Sequence, residues 1–284
     1  MKTYLDCIPC FMSQALRAGK TAGLEDKQIK KLLDEVGMMI SDIPMESSPP
    51  ETGAVIYQKI REITGIDDPF LSIKQKNTRE ALDMYPGLRQ LVRRSDDPLL
   101  TAIRLAIAGN VIDFGVNKAF NLQKDIEQIL SQDFAIFDYD SFRESLRKTE
   151  KVYYLGDNAG ESVFDRILIE ELHKPVVFVV REIPVINDVT RADAIMAGLD
   201  KVAEIVSSGS TAPGNVPALC DPSFMETLYQ ADMIISKGQG NYEGLSDEPI
   251  PVFFLLKVKC HVIARDLGVT ENSIVLKKSD FKHL

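Results

Sequence analysis

Asp157 and Asp188 each stand in a short polar cluster that follows an apolar run. The first cluster is Asp157-Asn158-Ala159-Gly160-Glu161, after Val152-Tyr153-Tyr154-Leu155. The second is Pro184-Val185-Ile186-Asn187-Asp188-Val189-Thr190, after Val176-Val177-Phe178-Val179-Val180. A third, Ser207-Ser208-Gly209-Ser210-Thr211-Ala212-Pro213-Gly214, follows Val202-Ala203-Glu204-Ile205-Val206. A fourth, Lys237-Gly238-Gln239-Gly240-Asn241-Tyr242-Glu243, follows Met233-Ile234-Ile235-Ser236, and Lys257 and Lys259 follow Val252-Phe253-Phe254-Leu255-Leu256. Asp157, Asn158 and Asp188 offer hard oxygen donors, and the loops that carry them contain neither His nor Cys. Oxygen-only ligation suits Mg²⁺ or Mn²⁺ rather than structural zinc. An Asp-Asn pair by itself is ordinarily a turn or a helix N-cap. A second Asp arriving at the same place shifts the balance toward a cation site.

The glycine-rich clusters suit an anion. Backbone N–H groups in such loops cradle phosphate, and a helix beginning near Gly160 adds its positive end. Lys237 would supply a point charge to a phosphoryl oxygen. Asn110, Gly160, Glu161, Ser208, Gly209, Gly238, Gly240 and Asn241 are the candidate substrate contacts, with Asp157, Asp188 and Lys237 as the catalytic set. Asn110 ends a hydrophobic helix, where a Gly-Asn pair is usually a C-cap, or it leans over the sheet edge. Gly238-Gln239-Gly240-Asn241-Tyr242-Glu243 lacks the third glycine of a dinucleotide fingerprint, and no P-loop occurs. Acids in the first strand-to-helix turn also argue against a nicotinamide dehydrogenase. Lys74, Thr78 and Arg79 read as a solvated helix face.

The apolar runs are continuous rather than alternating, as in parallel strands covered on both faces. Helical stretches separate most of them, and Ile274-Val275-Leu276 adds a sixth run. The expected fold is therefore α/β: a doubly wound, mostly parallel Rossmann-like α/β/α sheet over residues 151–284. In such sheets ligands bind beyond the carboxyl ends of the strands, which is where every polar cluster falls. Residues 1–150 read as helical throughout, a helical N-terminal domain or cap. Ile29, Leu32, Leu33, Val36 and Ile40 mark a helix over 26–40, and Val55, Ile56, Ile60 and Ile63 mark another up to Gly65. Helices also fit Ser72 to Met84, with Pro86 as a stop, and Pro98 to Ala108.

With 284 residues, 45% hydrophobic and 26% charged, the composition is that of a folded globular chain and excludes wholesale disorder. A net charge of −9 disfavours nucleic acid and anionic membranes as partners. No apolar run reaches the ~20 residues of a membrane span, and the first residues lack a signal-peptide layout, so a cytoplasmic protein is expected. Cys7 and Cys10 form a C-x-x-C, with Cys220 and Cys260 isolated. The pair reads as a helix-start turn with two incidentally buried thiols, as a redox pair, or as half of a metal site; no second ligand pair completes such a site, and no strand precedes the motif as a thioredoxin-like role needs. It is expected to lie away from the sheet edge and to be dispensable for catalysis.

Taken in order, five motifs resemble one known family. They are Gly109-Asn-Val-Ile-Asp-Phe-Gly115, Leu155-Gly-Asp-Asn-Ala-Gly-Glu161, Pro184-Val-Ile-Asn-Asp-Val-Thr190, Ser208-Gly-Ser210 and Ser236-Lys-Gly-Gln-Gly-Asn-Tyr-Glu243. The family is that of the damage-control phosphatases, formerly catalogued as domain of unknown function 89 and also called acidic-residue methyltransferase-like. Asp6-Cys7-Ile8-Pro9-Cys10 resembles its stand-alone prokaryotic branch. The resemblance implies a helical N-terminal part, a Rossmann-like core and a divalent metal (Mn²⁺, Co²⁺, Ni²⁺ or Mg²⁺) on Asp157, Asn158 and Asp188. It implies hydrolysis of small phosphate esters such as sugar phosphates and other damaged or surplus phosphometabolites, with Lys237 holding the phosphate. Two other functions compete: S-adenosylmethionine-dependent carboxyl methylation, and a non-enzymatic sensor of metal or phosphometabolite.

Overall fold

The structure is a computed structural model that describes residues 1–109 and 130–280. Three helices come first: α1 (Cys7–Thr21), α2 (Asp26–Ile40) and α3 (Pro49–Thr64). The Ser48-Pro49-Pro50 break is the start of α3, with proline in the first turn, where no amide partner is lost. Gly65 closes α3 in the left-handed region at φ +65°. α4 (Leu71–Arg94) runs straight through Pro86, and α5 (Pro98–Gly109) follows. Pro86 does not stop the helix because the stripe beyond it, Leu88 and Val92, is buried against the sheet core. That burial outweighs the one hydrogen bond proline removes.

The remaining elements alternate. They are β1 (Phe134–Phe137), α6 (Tyr139–Lys148), β2 (Val152–Leu155), α7 (Ser162–Leu172), β3 (Val176–Val180), α8 (Arg191–Met196), β4 (Glu204–Ser207), α9 (Pro222–Tyr229), β5 (Ile234–Lys237), α10 (Gly238–Leu245), β6 (Val252–Lys257), α11 (His261–Leu267) and β7 (Ile274–Lys278). They build one seven-stranded sheet of order β1-β7-β6-β5-β2-β3-β4. All neighbours are parallel except β6 and β7. β1 lies inside the stretch expected to be wholly helical. Its four residues, Phe134-Ala-Ile-Phe137, are all apolar but alternate between half-buried and exposed, as on an edge strand, and so short an apolar run is not told from a helix segment by periodicity. The third run starts two residues later than the sequence suggested, at Glu204, and the fourth carries Lys237 as its last residue.

The apolar cores divide the chain elsewhere than at residue 150. α4 and α5 share a core with one face of the sheet, through Ala81, Val92, Ile103 and Ile107 against Phe164, Phe178 and Phe253. α1 to α3 keep a smaller core of their own around Leu32, Val36, Ile56 and Ile60, which Val185 of the β3–α8 loop enters. Gly65→Ala is expected to cost about 1 kcal/mol. A Cβ there meets nothing within 4 Å, so the loss is purely one of backbone conformation. Urea denaturation measures it, and Gly65→Asn should lose less.

Candidate active site

β2 and β5 lie side by side, yet the chain travels outward through β3 and β4 before it returns to β5. The crevice left at such a reversal, beyond the carboxyl ends of the strands, is where doubly wound sheets bind ligands. Leu155 pairs with Ser236 there, so Asp157 and Gly238 emerge from adjacent strands. Gly238 has φ +79°, and a Cβ on it would stand 2.0 Å from Asp157 Oδ2. Only glycine lets the carboxylate rest on the first residue of α10, whose positive end favours an anion.

Two backbone bonds zip the β2–α7 loop to the β3–α8 loop. Val189 N donates to the Asp157 carbonyl at 2.8 Å and Ala159 N to the Asn187 carbonyl at 2.9 Å. Asn158 and Asp188 face each other between them as a bridge. Asn158 Nδ2 donates to Asp157 Oδ2 and to Glu161 Oε2, each at 2.9 Å. Ionised carboxylates only accept, so the amide has one sensible orientation, with Oδ1 left as its lone-pair side. Asp188 Oδ2 accepts from Arg181 Nε at 2.8 Å, both groups almost fully buried. Two residues earlier, Ile186 holds φ +47°, a strained state for a β-branched residue.

Behind this group Lys237 is fully enclosed. Its ammonium donates to the Ala106 carbonyl at 2.8 Å, to Asp165 Oδ1 at 2.5 Å and to Glu161 Oε1. It touches neither Asp157 nor Asp188, and its three hydrogens are spent. Lys237 is therefore an internal ion pair in this structure rather than a charge held ready for phosphate. Burial pushes the Asp165 carboxyl up from 3.8 to about 7, with Lys237 opposing and Glu161 adding to the shift. Burial likewise raises Asp188, against Arg181 and with the facing Asp157.

The donor set fits a hard divalent cation. Among the described residues no three of His, Cys, Asp and Glu stand together as a metal site. The backbone brings together two residues with carboxylates, Asp157 and Asp188, and one with a carboxamide, Asn158, which would leave the other positions of an oxygen-liganded cation to water and substrate. Two buried polar atoms beside it lack partners: Arg181 Nη1, and Oδ1 of Asn77, which packs on Gly160. Such orphans are costly unless a bound species satisfies them.

Comparison with known proteins then decides the family. Residues 3–275 match the damage-control phosphatase ARMT1-like domain. The chain belongs to the damage-control phosphatase ARMT1-like family. A damage-control phosphatase of Pyrococcus horikoshii is 32% identical over 99% of this chain and 100% of its own. One from Archaeoglobus fulgidus is also 32% identical, over 95% of this chain and 97% of its own. The crystal structure of a DUF89 family protein from P. horikoshii superposes with a TM-score of 0.89 at 31% identity, covering 99% of this chain and all of that one.

In this family member several expected substrate contacts are engaged within the protein. Asn241 Oδ1 accepts from Arg181 Nη2 and from the backbone and side-chain nitrogens of Asn215, while its Nδ2 donates to the Gly156 and Lys237 carbonyls. Ser208 Oγ donates to the Val180 carbonyl, Gly209 abuts Asp221, and Gly240 abuts the Pro213 carbonyl. Glu161 is likewise buried and engaged, by Lys237 and Asn158, and Gly160 packs on Asn77. Asn110 lies outside the described residues. The sequence reading missed Arg181, Asn77 and Lys74. Lys74 and Thr78 are buried rather than solvated, and Lys74 pairs with Asp68 and Asp193 at 2.7 Å each; only Arg79 is exposed. A signal for them existed: Lys74, Asn77, Thr78 and Ala81 continue the buried stripe of α4 at helical spacing.

Two outcomes follow for metal-free protein. Lys237→Met is expected to cost ~3–5 kcal/mol, because it leaves two buried carboxylates without their cation. Adding Glu161→Gln should recover part of that loss in urea denaturation. Asp165 and Asp188 are raised in the folded state, so protonation favours the fold. Their contribution is present below the ordinary carboxyl range and is lost as pH rises through about 7. The melting temperature should therefore be higher at pH 6 than at pH 8, and Asp165→Asn should flatten the difference.

Proposed function

We propose that this chain is a divalent-metal-dependent phosphatase that hydrolyses phosphate monoesters of small damaged or surplus metabolites, sugar phosphates among them, in the cytoplasm. The observation that carries the reading is the convergence of Asp157, Asn158 Oδ1 and Asp188 at the reversal of strand order. Relatives named damage-control phosphatases, aligned along essentially the whole chain, support it.

A divalent cation (Mn²⁺, Co²⁺, Ni²⁺ or Mg²⁺) held by these three residues supplies positive charge to the phosphoryl oxygens as negative charge builds up. The chain's own residues set the geometry. Gly238 admits the Asp157 carboxylate, Glu161 turns the Asn158 amide, and Arg181 fixes Asp188 from behind. Lys237 holds Glu161 in place and so acts through Asn158. Arg181 Nη1 and Asn77 Oδ1 are a donor and an acceptor still without partners, which suits a substrate carrying both phosphoryl oxygens and hydroxyls.

The test is phosphate release from a panel of sugar and nucleoside monophosphates, with each cation and with a chelator. Asp157→Asn and Asp188→Asn keep volume but remove ligand charge, so turnover should fall by ~10²-fold or more, as when a preorganised charge is lost. Gly238→Ala should act similarly by displacing Asp157. If both Asn variants keep wild-type turnover with saturating Mn²⁺, or if the chelated protein is fully active, the reading fails.

A further inference from the structure

The C-x-x-C has no part in the chemistry above, yet it does not lie away from the sheet edge. Asp6 Oδ1 is 3.2 Å from His261 Nε2, and the Arg265 guanidinium stands 4.7 Å from the centre of the Tyr4 ring. His261 opens α11 just beyond the carboxyl end of β6, so the start of α1 is fastened at the edge that carries the candidate site. Cys7 and Cys260 are the chain neighbours of the two residues in that contact. A third thiol thereby arrives from the far end of the chain. Among the described residues the three do not form a metal site.

The thiols differ in surroundings. Cys10 is exposed, Cys7 and Cys260 are half-buried, and Cys220 is buried. Cys10 Sγ accepts from Gln14 Nε2 at 3.3 Å, in the first turn of α1. Burial raises the Cys7 thiol, with Glu243, Cys10 and Cys260 adding to the effect. Cys260 sulfur likewise accepts from a side-chain amide, Gln239 Nε2 at 3.4 Å, but it is less exposed than Cys10. Cys220 is pushed up to about 11 by burial and is inert. Cys7 and Cys10 sit three residues apart on one helix face, where Cβ atoms are ~5–6 Å apart. A disulfide needs Cβ atoms ~3.5–4.5 Å apart, so the first turn of α1 has to tighten by ~1–2 Å for the bond to close.

We propose that Cys7 and Cys10 are a reversible oxidation site that closes to a disulfide on reaction with a peroxide. The Cys10 thiolate attacks one peroxide oxygen and the O–O bond breaks. One water leaves after protonation, and Cys10 becomes a sulfenic acid. Cys7 sulfur then attacks Cys10 sulfur, the S–S bond forms, the S–O bond breaks, and the Cys7 proton leaves with the hydroxyl as a second water. Two thiols and one hydrogen peroxide thus give one disulfide and two waters. A dithiol reductant reverses it.

The experiment uses the reduced full chain, treated with a small molar excess of hydrogen peroxide, alkylated and mapped by peptide mass. Cys7 and Cys10 should both escape alkylation, with their shared peptide lighter by two hydrogens and restored by dithiothreitol. Cys220 and Cys260 should remain alkylatable under denaturing conditions. Cys260→Ser should behave as wild type, and Cys10→Ser should keep Cys7 reduced. A Cys7–Cys260 linked peptide overturns the proposal. So does Cys10 advancing to sulfinic acid while Cys7 stays free, or zinc on the purified protein that shields both thiols until chelated. None of these readouts involves phosphate release, so failure here is separable from failure of the phosphatase reading.

Discussion

The ammonium of Lys237 sits where β5 meets α5 and α7, and its hydrogens go to the Ala106 carbonyl, Glu161 and Asp165. Burying one lysine with two carboxylates is worthwhile only when each partner is further satisfied, because desolvation costs several kcal/mol per ion. Here most of the requirement is met. Asp165 also accepts from the Tyr154 hydroxyl at 2.7 Å, and Glu161 accepts from Asn158. The consequence runs outward: Lys237 fixes Glu161, Glu161 turns the Asn158 amide, and the same amide holds Asp157. A strand-end lysine that touches no candidate ligand thereby sets the orientation of two of them.

The glycines serve a related purpose. Gly214 and Gly240 each stand where a Cβ would meet the other loop's backbone, at 2.5 Å from the Gly240 carbonyl and 2.3 Å from the Pro213 carbonyl. The loop after β4 and the first turn of α10 are therefore interlocked, and Asn241 sits between them as their shared hydrogen-bond partner. Glycine-rich composition in these loops marks backbone approaching backbone. A phosphate cradle needs the same residues, which is why sequence does not distinguish the two.

The sheet was readable because its inner strands are buried on both faces, and all six apolar runs fall on strands, two with the same bounds and four with an end displaced by a residue or two. β1 escaped although Phe134-Ala-Ile-Phe137 is an apolar run as long as that of β2, because a run of four residues next to helical stretches is not told from helix by periodicity. Pro86 misled because propensity is local, whereas the burial of Leu88 and Val92 is not. At the site, Asp157, Asn158 and Asp188 were legible because each follows a strand at its carboxyl end. The inward turn of Lys237 was not, since strand position fixes which face a side chain takes but not what lies opposite. Its partners come from residues 106, 161 and 165, and no spacing rule links them. Arg181 and Lys74 were hidden by the opposite prejudice, that long cations belong to solvent.

Charge gives the remaining step. Around the crevice Asp68, Asp157, Glu161, Asp165, Asp188 and Asp193 outnumber Lys74, Arg181 and Lys237 two to one, and each cation is already paired with an acid. The whole chain carries −9 as well. A dianionic phosphate ester entering this crevice meets an excess of negative charge in a poorly screened setting, where like charges a few ångströms apart cost several kcal/mol. Protonating Asp165 and Asp188 relieves part of the excess only below about pH 7. At neutral pH and above, the proposed substrate is admitted only with added positive charge placed between it and Asp157 and Asp188. Among the described residues Arg181 Nη1 is an unspent cationic donor, and its guanidinium charge is already set against Asp188. The acidic excess among the described residues, to which Asp157 and Asp188 themselves contribute, supports the proposed cation beside them.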